Sequence, residues 1–196
     1  MSPRARPMAP DDRRQALVTA TLPLLLEHGR SVTTRQIADA AGVAEGTIFR
    51  VFDSKDDLVT AALEDALDLA PFIAQLYGID RDLPLAPMLL EVVELFQRRF
   101  ERVFTLMTRM GMVGPPRAKA HMEAERERLA AIVTALAEPH RDQLRVPPAQ
   151  LMHMVRLLTF SGTHPHISDG HPLTAEEIVD TVLHGVLKTP STTEDR

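Results

Sequence analysis

The sequence contains no cysteine among its 196 residues, which excludes a disulfide framework, a thiolate metal site and a cysteine nucleophile. Long apolar runs are missing as well, since no stretch approaches the roughly 20 residues that a membrane-spanning helix needs. The opening residues, MSPRARPMAP, lack the apolar segment of a signal peptide. We therefore expect a cytoplasmic chain that does not cross a membrane.

Alternation of apolar and polar residues over the length of a strand is absent too, so the sequence predicts an all-α fold. A chain of this length can bury a substantial core. Apolar side chains recurring every three or four residues predict helices over residues 11–28, 34–41, 45–52, 86–112, 118–137, 148–162 and 175–188, with another from the cap at Ser54 up to Pro71.

The sequence lacks the positive net charge that is typical of DNA-binding proteins, because its formal net charge is −5. Residues 1–60 carry eight Lys or Arg and eight Asp or Glu, so the excess negative charge lies in residues 61–196. A neutral region can still bind DNA if its cations share one face.

The N-terminus is basic, and prolines within residues 1–10 favour a disordered arm. The basic residues of this arm are Arg4, Arg6, Arg13 and Arg14. Such an arm could follow a minor groove of DNA or could be a plain solvated tail, and both interpretations stay open.

The stretch 32–58, VTTRQIADAAGVAEGTIFRVFDSKDDL, predicts two short helices joined by a tight turn. Thr33 and Gln36 have the spacing of a capping box at the start of the first helix. Gly42 suits its end, because a residue without Cβ adopts positive φ at no steric cost. A second helix fits residues 45–52. This arrangement is a helix-turn-helix, whose second helix enters a major groove of DNA.

The segment IADAAGVAEGTIFRVFDSKDDL resembles the N-terminal domain of the TetR family of transcriptional regulators. The matching positions are Gly42, Gly46, Thr47, Ile48, Phe49, Phe52, Ser54, Lys55, Asp56 and Leu58. The resemblance implies a three-helix DNA-binding domain over residues 11–58 and a helical ligand-binding and dimerisation domain over residues 59–188. Residues 1–10 and 189–196 are expected to be a disordered arm and a disordered tail.

The resemblance also implies which residues contact double-stranded DNA. Backbone contacts are implied for Thr34, Phe49, Arg50 and Lys55. Base-edge contacts are implied for Arg35, Glu45, Gly46 and Thr47, and Thr33 and Ala44 complete the predicted interface. The role of Glu45 stays open, because a carboxylate can accept a hydrogen bond from cytosine N4 or can simply be a solvated acid that repels phosphate.

Two of these positions depart from the family pattern. Phe49 stands where a tyrosine is usual, so the hydroxyl that would bond phosphate is missing. Ala44 stands where a capping serine is usual, and that loss costs the second helix ~1 kcal/mol. We therefore expect fewer phosphate contacts than in relatives.

An unknown small-molecule effector is implied for the helical body, where its binding would change the separation of the two DNA-binding domains. Candidate lining residues are Phe72, Tyr77, Phe96, Phe100, Phe104, Met107, Met110, Met122 and Met154. Methionine fills irregular space and suits a pocket for apolar ligands. Each of these residues also fits an ordinary core position.

The last two predicted helices are apolar nearly all round, which predicts cover from a partner subunit. The candidate interface residues are Leu151, Val155, Leu158, Gly162, Ile178, Val182, Gly185 and Val186. We expect a two-fold homodimer that binds a pseudo-palindromic operator, with half-sites ~34–36 Å apart or a multiple of that distance.

The loop THPHISDGHP holds His164, His166 and His171, a set that suggests zinc. However, metal-binding histidines are usually held in a fixed local frame, and this is a turn rich in proline and glycine. We expect no metal and no cofactor.

The sequence thus predicts a DNA-binding transcriptional regulator, a repressor released by a small hydrophobic or amphipathic ligand. The alternatives are a helical protein–protein adaptor and an all-α enzyme. For the enzyme, the sequence offers no nucleophile elbow and no pairing of a base with its orienting residue.

Overall fold

A computed structural model describes residues 9–112 and 119–186, with side chains for residues 9–112 and 123–184. Within these ranges the elements are α-helices and short 3₁₀ turns, so the predicted all-α fold is confirmed. The α-helices are α1 (Pro10–His28), α2 (Thr34–Ala41), α3 (Ile48–Val51), α4 (Lys55–Leu67), α5 (Ala70–Tyr77), α6 (Leu85–Arg109), α7 (Lys119–Ala137), α8 (Pro148–Thr163) and α9 (Ala175–Val186). The 3₁₀ turns are Gly29–Ser31, Glu45–Thr47 and Glu138–Gln143.

Several predicted boundaries change. Arg13 and Arg14, counted among the basic residues of the arm, lie within α1, as the helix predicted over residues 11–28 implies. Residues 1–8, including Arg4 and Arg6, lie outside the described residues, as does the predicted tail 189–196.

The helix predicted to continue up to Pro71 is divided in two. α4 ends at Leu67, and α5, which the sequence did not predict, begins at Ala70 with Pro71 in its first turn. Proline is tolerated there because the amide of a first-turn residue has no partner within the helix. Pro71 therefore belongs to the start of a helix and not to the end of one.

The chain divides into two compact units, and the first comprises the described residues within Met1–Asp68 and Thr105–Arg117. Its core is built by α1 to α4 and by the end of α6. The side chains buried most completely are Leu17, Leu25, Ile37, Ile48, Leu58 and Met110. Because each short helix contributes only one or two of these residues, their mutual burial stabilises helices that would not persist alone.

Gly29 ends α1 with a backbone conformation of φ 57° and ψ −138°, and its N–H donates to the Leu25 carbonyl. A Cβ at this position would lie 2.6 Å from the carbonyl oxygen of Arg109. Arg30 follows, and its Nε donates to the Met110 carbonyl at 2.9 Å. The connection between α1 and α2 therefore packs closely against the end of α6 inside the first unit.

The second unit comprises the described residues within Leu69–Phe104 and Ala118–Arg196. α8 packs against both α7 and α9. Its core contains apolar side chains from α5 to α9, among them Phe96, Leu89, Leu136, Leu151, Val155 and Ile178. Over the part of the chain with coordinates, no helix has the length and apolar character needed to cross a membrane.

Candidate nucleic-acid interface

α2 begins with the capping box that the sequence predicts. The Gln36 backbone N–H donates to Thr33 Oγ1 at 3.2 Å, and the Thr33 N–H donates to Gln36 Oε1 at 2.8 Å. The helix ends before Gly42, whose φ of 66° and ψ of 31° are those of the left-handed region. Ile37 faces the core with no exposed surface, so the start of α2 presents Arg35 to solvent.

The segment after the turn differs from the continuous helix predicted for residues 45–52. It consists of a 3₁₀ turn, Glu45–Thr47, followed by the single α-helical turn Ile48–Val51. We call residues 45–51 the recognition element. Ala44 precedes it and supplies no side-chain cap, which removes an interaction that would favour an α-helical start.

Ile48 anchors the recognition element, because its side chain is fully buried in the core of the first unit. Phe49, its neighbour, points outward with 55% of its surface exposed. Glu45 and Arg50 are exposed as well, and Thr47 is half-buried. The recognition element thus has one apolar face on the core and one outward face that carries a cation, an acid and an aromatic ring.

Arg35 and Arg50 are exposed and form no ion pair within the part of the chain that the structure describes. Their guanidinium groups are therefore available to an external anion such as phosphate. Arg14 is also held near this region, with Cζ 4.4 Å from the centre of the Phe52 ring. That cation–π contact holds the Arg14 side chain, which was counted among the basic residues of the arm, against the folded unit.

Lys55 has a role in the fold that the sequence did not reveal. Its Nζ donates to the carbonyl of Val32 at 3.0 Å and to the carbonyl of Arg30 at 3.4 Å. Ser54, one residue earlier, caps α4 by accepting from the Asp57 N–H at 3.1 Å, as predicted. Lys55 therefore ties the start of α4 to the segment before α2, besides placing a positive charge there.

The two short helices of the motif are also joined by a side-chain hydrogen bond. Thr34, the first residue of α2, donates from Oγ1 to Oε1 of Glu45 at 2.5 Å. The bond connects residues that are 11 positions apart, so no local sequence pattern predicts it.

None of the residues predicted to contact DNA is buried. The exposed or half-buried set is Thr33, Thr34, Arg35, Ala44, Glu45, Gly46, Thr47, Phe49, Arg50 and Lys55. All lie in the first unit. The structure thus leaves each predicted position accessible from solvent.

The candidate ligand-binding residues fall into separate groups. Phe72, Phe96 and Phe104 are buried in the second unit, and Phe100 is half-buried there. Their rings contact one another at centroid distances of 5.1 Å (Phe72 to Phe96), 5.6 Å (Phe96 to Phe100) and 6.0 Å (Phe100 to Phe104). Phe160, which was not among the predicted ligand-binding residues, contacts Phe100 at 5.3 Å and Phe104 at 5.1 Å. We call these five rings the aromatic cluster.

The remaining candidates do not join this cluster. Met107 and Met110 belong to the first unit, where Met110 is a buried core residue. Tyr77 and Met154 are exposed at 54% and 36%. The side chain of Met122 lies outside the described residues. A list based on residue type and helix position therefore mixed the cores of two units, because periodicity does not show where a helix passes from one core to another.

The candidate dimer residues require a correction. Leu151, Val155, Ile178 and Val182 are buried inside the core of a single subunit, so they offer no surface to a partner. Gly162 is also buried, with a Cβ there 3.0 Å from the Leu173 side chain, and Leu158 is half-buried. Gly185 and Val186 have side-chain positions outside the described residues.

α8 is apolar on several sides, and these sides are covered by α7 and α9 of the same subunit. Its exposed large apolar side chains are instead Met154, at 36%, and Leu157, at 46%.

The histidine loop has contacts of its own. The His164 ring lies 4.5 Å from the Phe104 ring, and its Nδ1 accepts from the backbone N–H of His166 at 3.3 Å. Among the residues with described positions, no three His, Asp or Glu side chains are grouped so that they could hold a metal ion.

Comparison with known proteins agrees with the arrangement of the first unit. Residues 17–62 match the family described as bacterial regulatory proteins, tetR family. The HTH-type transcriptional repressor KstR2 of Rhodococcus jostii is 42% identical over 57 residues, which cover 29% of this chain and 28% of that protein. KstR2 of Mycolicibacterium smegmatis is 36% identical over 63 residues, covering 32% of this chain and 31% of that protein. The chain thus spans less than a third of the length of these curated relatives.

The fold likeness extends much further along the chain. A TetR transcription regulator from Haloarcula marismortui superposes with a TM-score of 0.65 and 16% sequence identity, covering 91% of this chain and all of that one. At this identity the likeness concerns the fold, which is shared over both units.

Proposed function

We propose that this chain, whose residues 17–62 match the tetR family of bacterial regulatory proteins, is a sequence-specific DNA-binding transcriptional regulator that acts as a repressor. The observation that carries the proposal is the outward face of α2 and of the recognition element. Arg35 on α2 and Arg50 on the recognition element are each exposed without an ion pair in the described part of the chain, while Ile37 and Ile48 anchor the two segments in the core. Exposed guanidinium groups carried on segments that are anchored in a core suit binding to phosphate and to base edges.

The regulator is proposed to act as a homodimer. Met154 and Leu157 lie three residues apart on α8, so they share a face of that helix. Covering this face with the same face of a second copy removes apolar surface from water and gives a closed two-fold interface. The two recognition elements then read a pseudo-palindrome with half-sites ~34–36 Å apart or a multiple of that distance.

A small hydrophobic or amphipathic effector is proposed to bind the second unit. The aromatic cluster supports this, because Phe100 and Phe160 are only half-buried and their rings meet edge to face at 5.3 Å. Half-buried rings leave apolar area that an effector can cover. An effector that binds more tightly to the conformation with low DNA affinity shifts the protein toward that conformation. The operator is then released, and the extent of release depends on the difference between the effector's affinities for the two conformations.

The test of DNA binding is a fluorescence-anisotropy titration with DNA that flanks the protein's own gene, at two salt concentrations. Specific binding that weakens steeply with salt is expected, because each neutralised phosphate releases a counterion. Arg50→Gln should reduce the slope of log K against log salt by about one, whereas Arg145→Gln is the matched control because Arg145 is exposed in the second unit. Equal binding of flanking and unrelated DNA contradicts the proposal and favours the helical adaptor.

A further inference from the structure

Thr34 donates a hydrogen bond to Glu45 across the turn of the motif. Thr34 opens α2 and Glu45 opens the recognition element. Since Ala44 supplies no cap, this bond is the side-chain link that holds the start of the recognition element to the start of α2.

The bond determines what the Thr34 hydroxyl can do. A hydroxyl carries a single proton, and in Thr34 that proton is donated to Glu45. The neighbouring Thr33 hydroxyl is used in the same way, since its Oγ1 donates to Gln36 Oε1 at 2.9 Å. Neither hydroxyl therefore has its proton free for a DNA phosphate, although the family resemblance implies a backbone contact from Thr34.

The same bond fixes the Glu45 carboxylate. One oxygen, Oε1, is held by Thr34, and the other, Oε2, has no hydrogen-bond or ion-pair partner among the described residues. Glu45 is exposed, and the adjacent Gly46 has open space where a Cβ would be. The structure thus presents a carboxylate with one free oxygen on the outward face of the recognition element.

An ionised carboxylate only accepts hydrogen bonds, so its partner on DNA must be a donor. The donors in the major groove are the amino groups of cytosine and adenine. The adenine amino group lies beside N7, whose lone pair repels a carboxylate, whereas the cytosine amino group lies beside a C–H. A carboxylate held in one position therefore favours cytosine and disfavours the acceptor groups of guanine and thymine.

We propose that Thr34 is a positioning residue that orients Glu45 to accept a hydrogen bond from the N4 amino group of a cytosine in each half-site. Glu45 is then a specificity-determining residue of the recognition element. This inference rests on the proposed function, because it assigns the base that the DNA-binding face reads.

The test begins with the full-length wild-type chain, which selects its preferred site from random duplex DNA. Dissociation constants are then measured by anisotropy with each position of that site changed to the other three base pairs. For the wild type we expect one cytosine per half-site whose replacement weakens binding on the order of 5- to 100-fold. Glu45→Ala should abolish the preference at that position alone and leave preferences at the other positions unchanged.

Thr34→Val and Thr34→Ser form the matched pair, because valine has nearly the same shape without the hydroxyl and serine restores it. Thr34→Val should reduce the cytosine preference while Thr34→Ser keeps it, with thermal unfolding checked for both variants. The inference is overturned if Thr34→Val weakens all sites equally, if Glu45→Ala keeps the preference, or if the position selects adenine. A wild-type chain that enriches no sequence contradicts the proposed function itself, and this inference with it.

Discussion

The close approach between Gly29 and Arg109 makes Gly29→Ala a sharp test of how the first unit is built. The φ of 57° and ψ of −138° at Gly29 lie outside the regions that a residue with a Cβ adopts freely. The new methyl carbon would also lie 2.6 Å from the backbone carbonyl oxygen of Arg109. The backbone fixes the position of both atoms, so neither can turn away as the end of a flexible side chain would.

The expected loss of stability follows from these two terms. Holding alanine in such a conformation costs ~1–3 kcal/mol, and relieving the clash by a backbone shift costs a further ~1–3 kcal/mol. Alanine also reduces the conformational entropy of the unfolded chain, and this offsets ~0.4–1 kcal/mol of the lost stability. The net destabilisation is therefore about 3 kcal/mol, and for a chain of this length it lowers Tm by ~6–12 °C.

The control is Gly42→Ala. Gly42 also has positive φ, at 66°, but a Cβ there meets no atom within 4 Å, so only the backbone strain of ~1–2 kcal/mol remains. The same unfolded-chain offset of ~0.4–1 kcal/mol reduces the net destabilisation to about 1 kcal/mol. Thermal unfolding followed by circular dichroism at 222 nm should show a Tm decrease of ~2–4 °C for this variant. If Gly29→Ala is no more destabilising than Gly42→Ala, the packing of the end of α6 against the α1–α2 connection is wrong.

Three further predictions concern other contacts. Thr33→Ala removes the Oγ1 acceptor of the Gln36 N–H and keeps the backbone N–H that donates to Gln36 Oε1. It should lower the stability by ~1 kcal/mol, measured as a decrease in Tm; a Tm equal to that of the wild type would contradict this. Lys55→Met removes the donors to Val32 and Arg30 as well as a charge, so all DNA sequences should bind more weakly while base preference is kept; a changed preference in competition titrations would refute this. Leu157→Glu should halve the mass measured by light scattering at micromolar concentration, because a carboxylate is costly to bury in an apolar interface. The control, Ala149→Glu, adds the same charge at an exposed position in the first turn of the same helix and should leave the mass unchanged.

Features of the motif that depend on near neighbours were predictable from the sequence. The capping box, the left-handed Gly42 and the Ser54 cap all occur where their residue types and spacing predict them. Each is set by interactions within about four residues, which a short sequence window contains. This is why the start and end of α2 agree with the prediction to the residue.

Features that depend on packing partners distant in sequence were not predictable. Val155 and Ile178 were assigned to a subunit interface because their helices are apolar on several sides, yet α7, α8 and α9 cover those sides within one subunit. Met110 was grouped with the body, but α6 ends in the core of the first unit. Periodicity reveals that a side is covered without revealing what covers it.

The predicted DNA-binding site also combines features that were predictable from the sequence with features that depend on residues distant in sequence. The family resemblance implied that Arg35, Glu45 and Arg50 face DNA, and all three side chains are exposed. The bonds from Thr34 to Glu45 and from Lys55 to Val32 span 11 and 23 residues, so only the folded chain reveals them, and they change what those side chains can do toward DNA.

The most direct measurement of the central claim is a DNase I footprint of the full chain on the DNA that flanks its own gene, with excess unrelated DNA as competitor. We expect one protected segment with a two-fold symmetric sequence, which persists in the presence of competitor and disappears when Arg35 and Arg50 are both changed to glutamine. Absence of a protected segment, or protection that the competitor removes entirely, would contradict it.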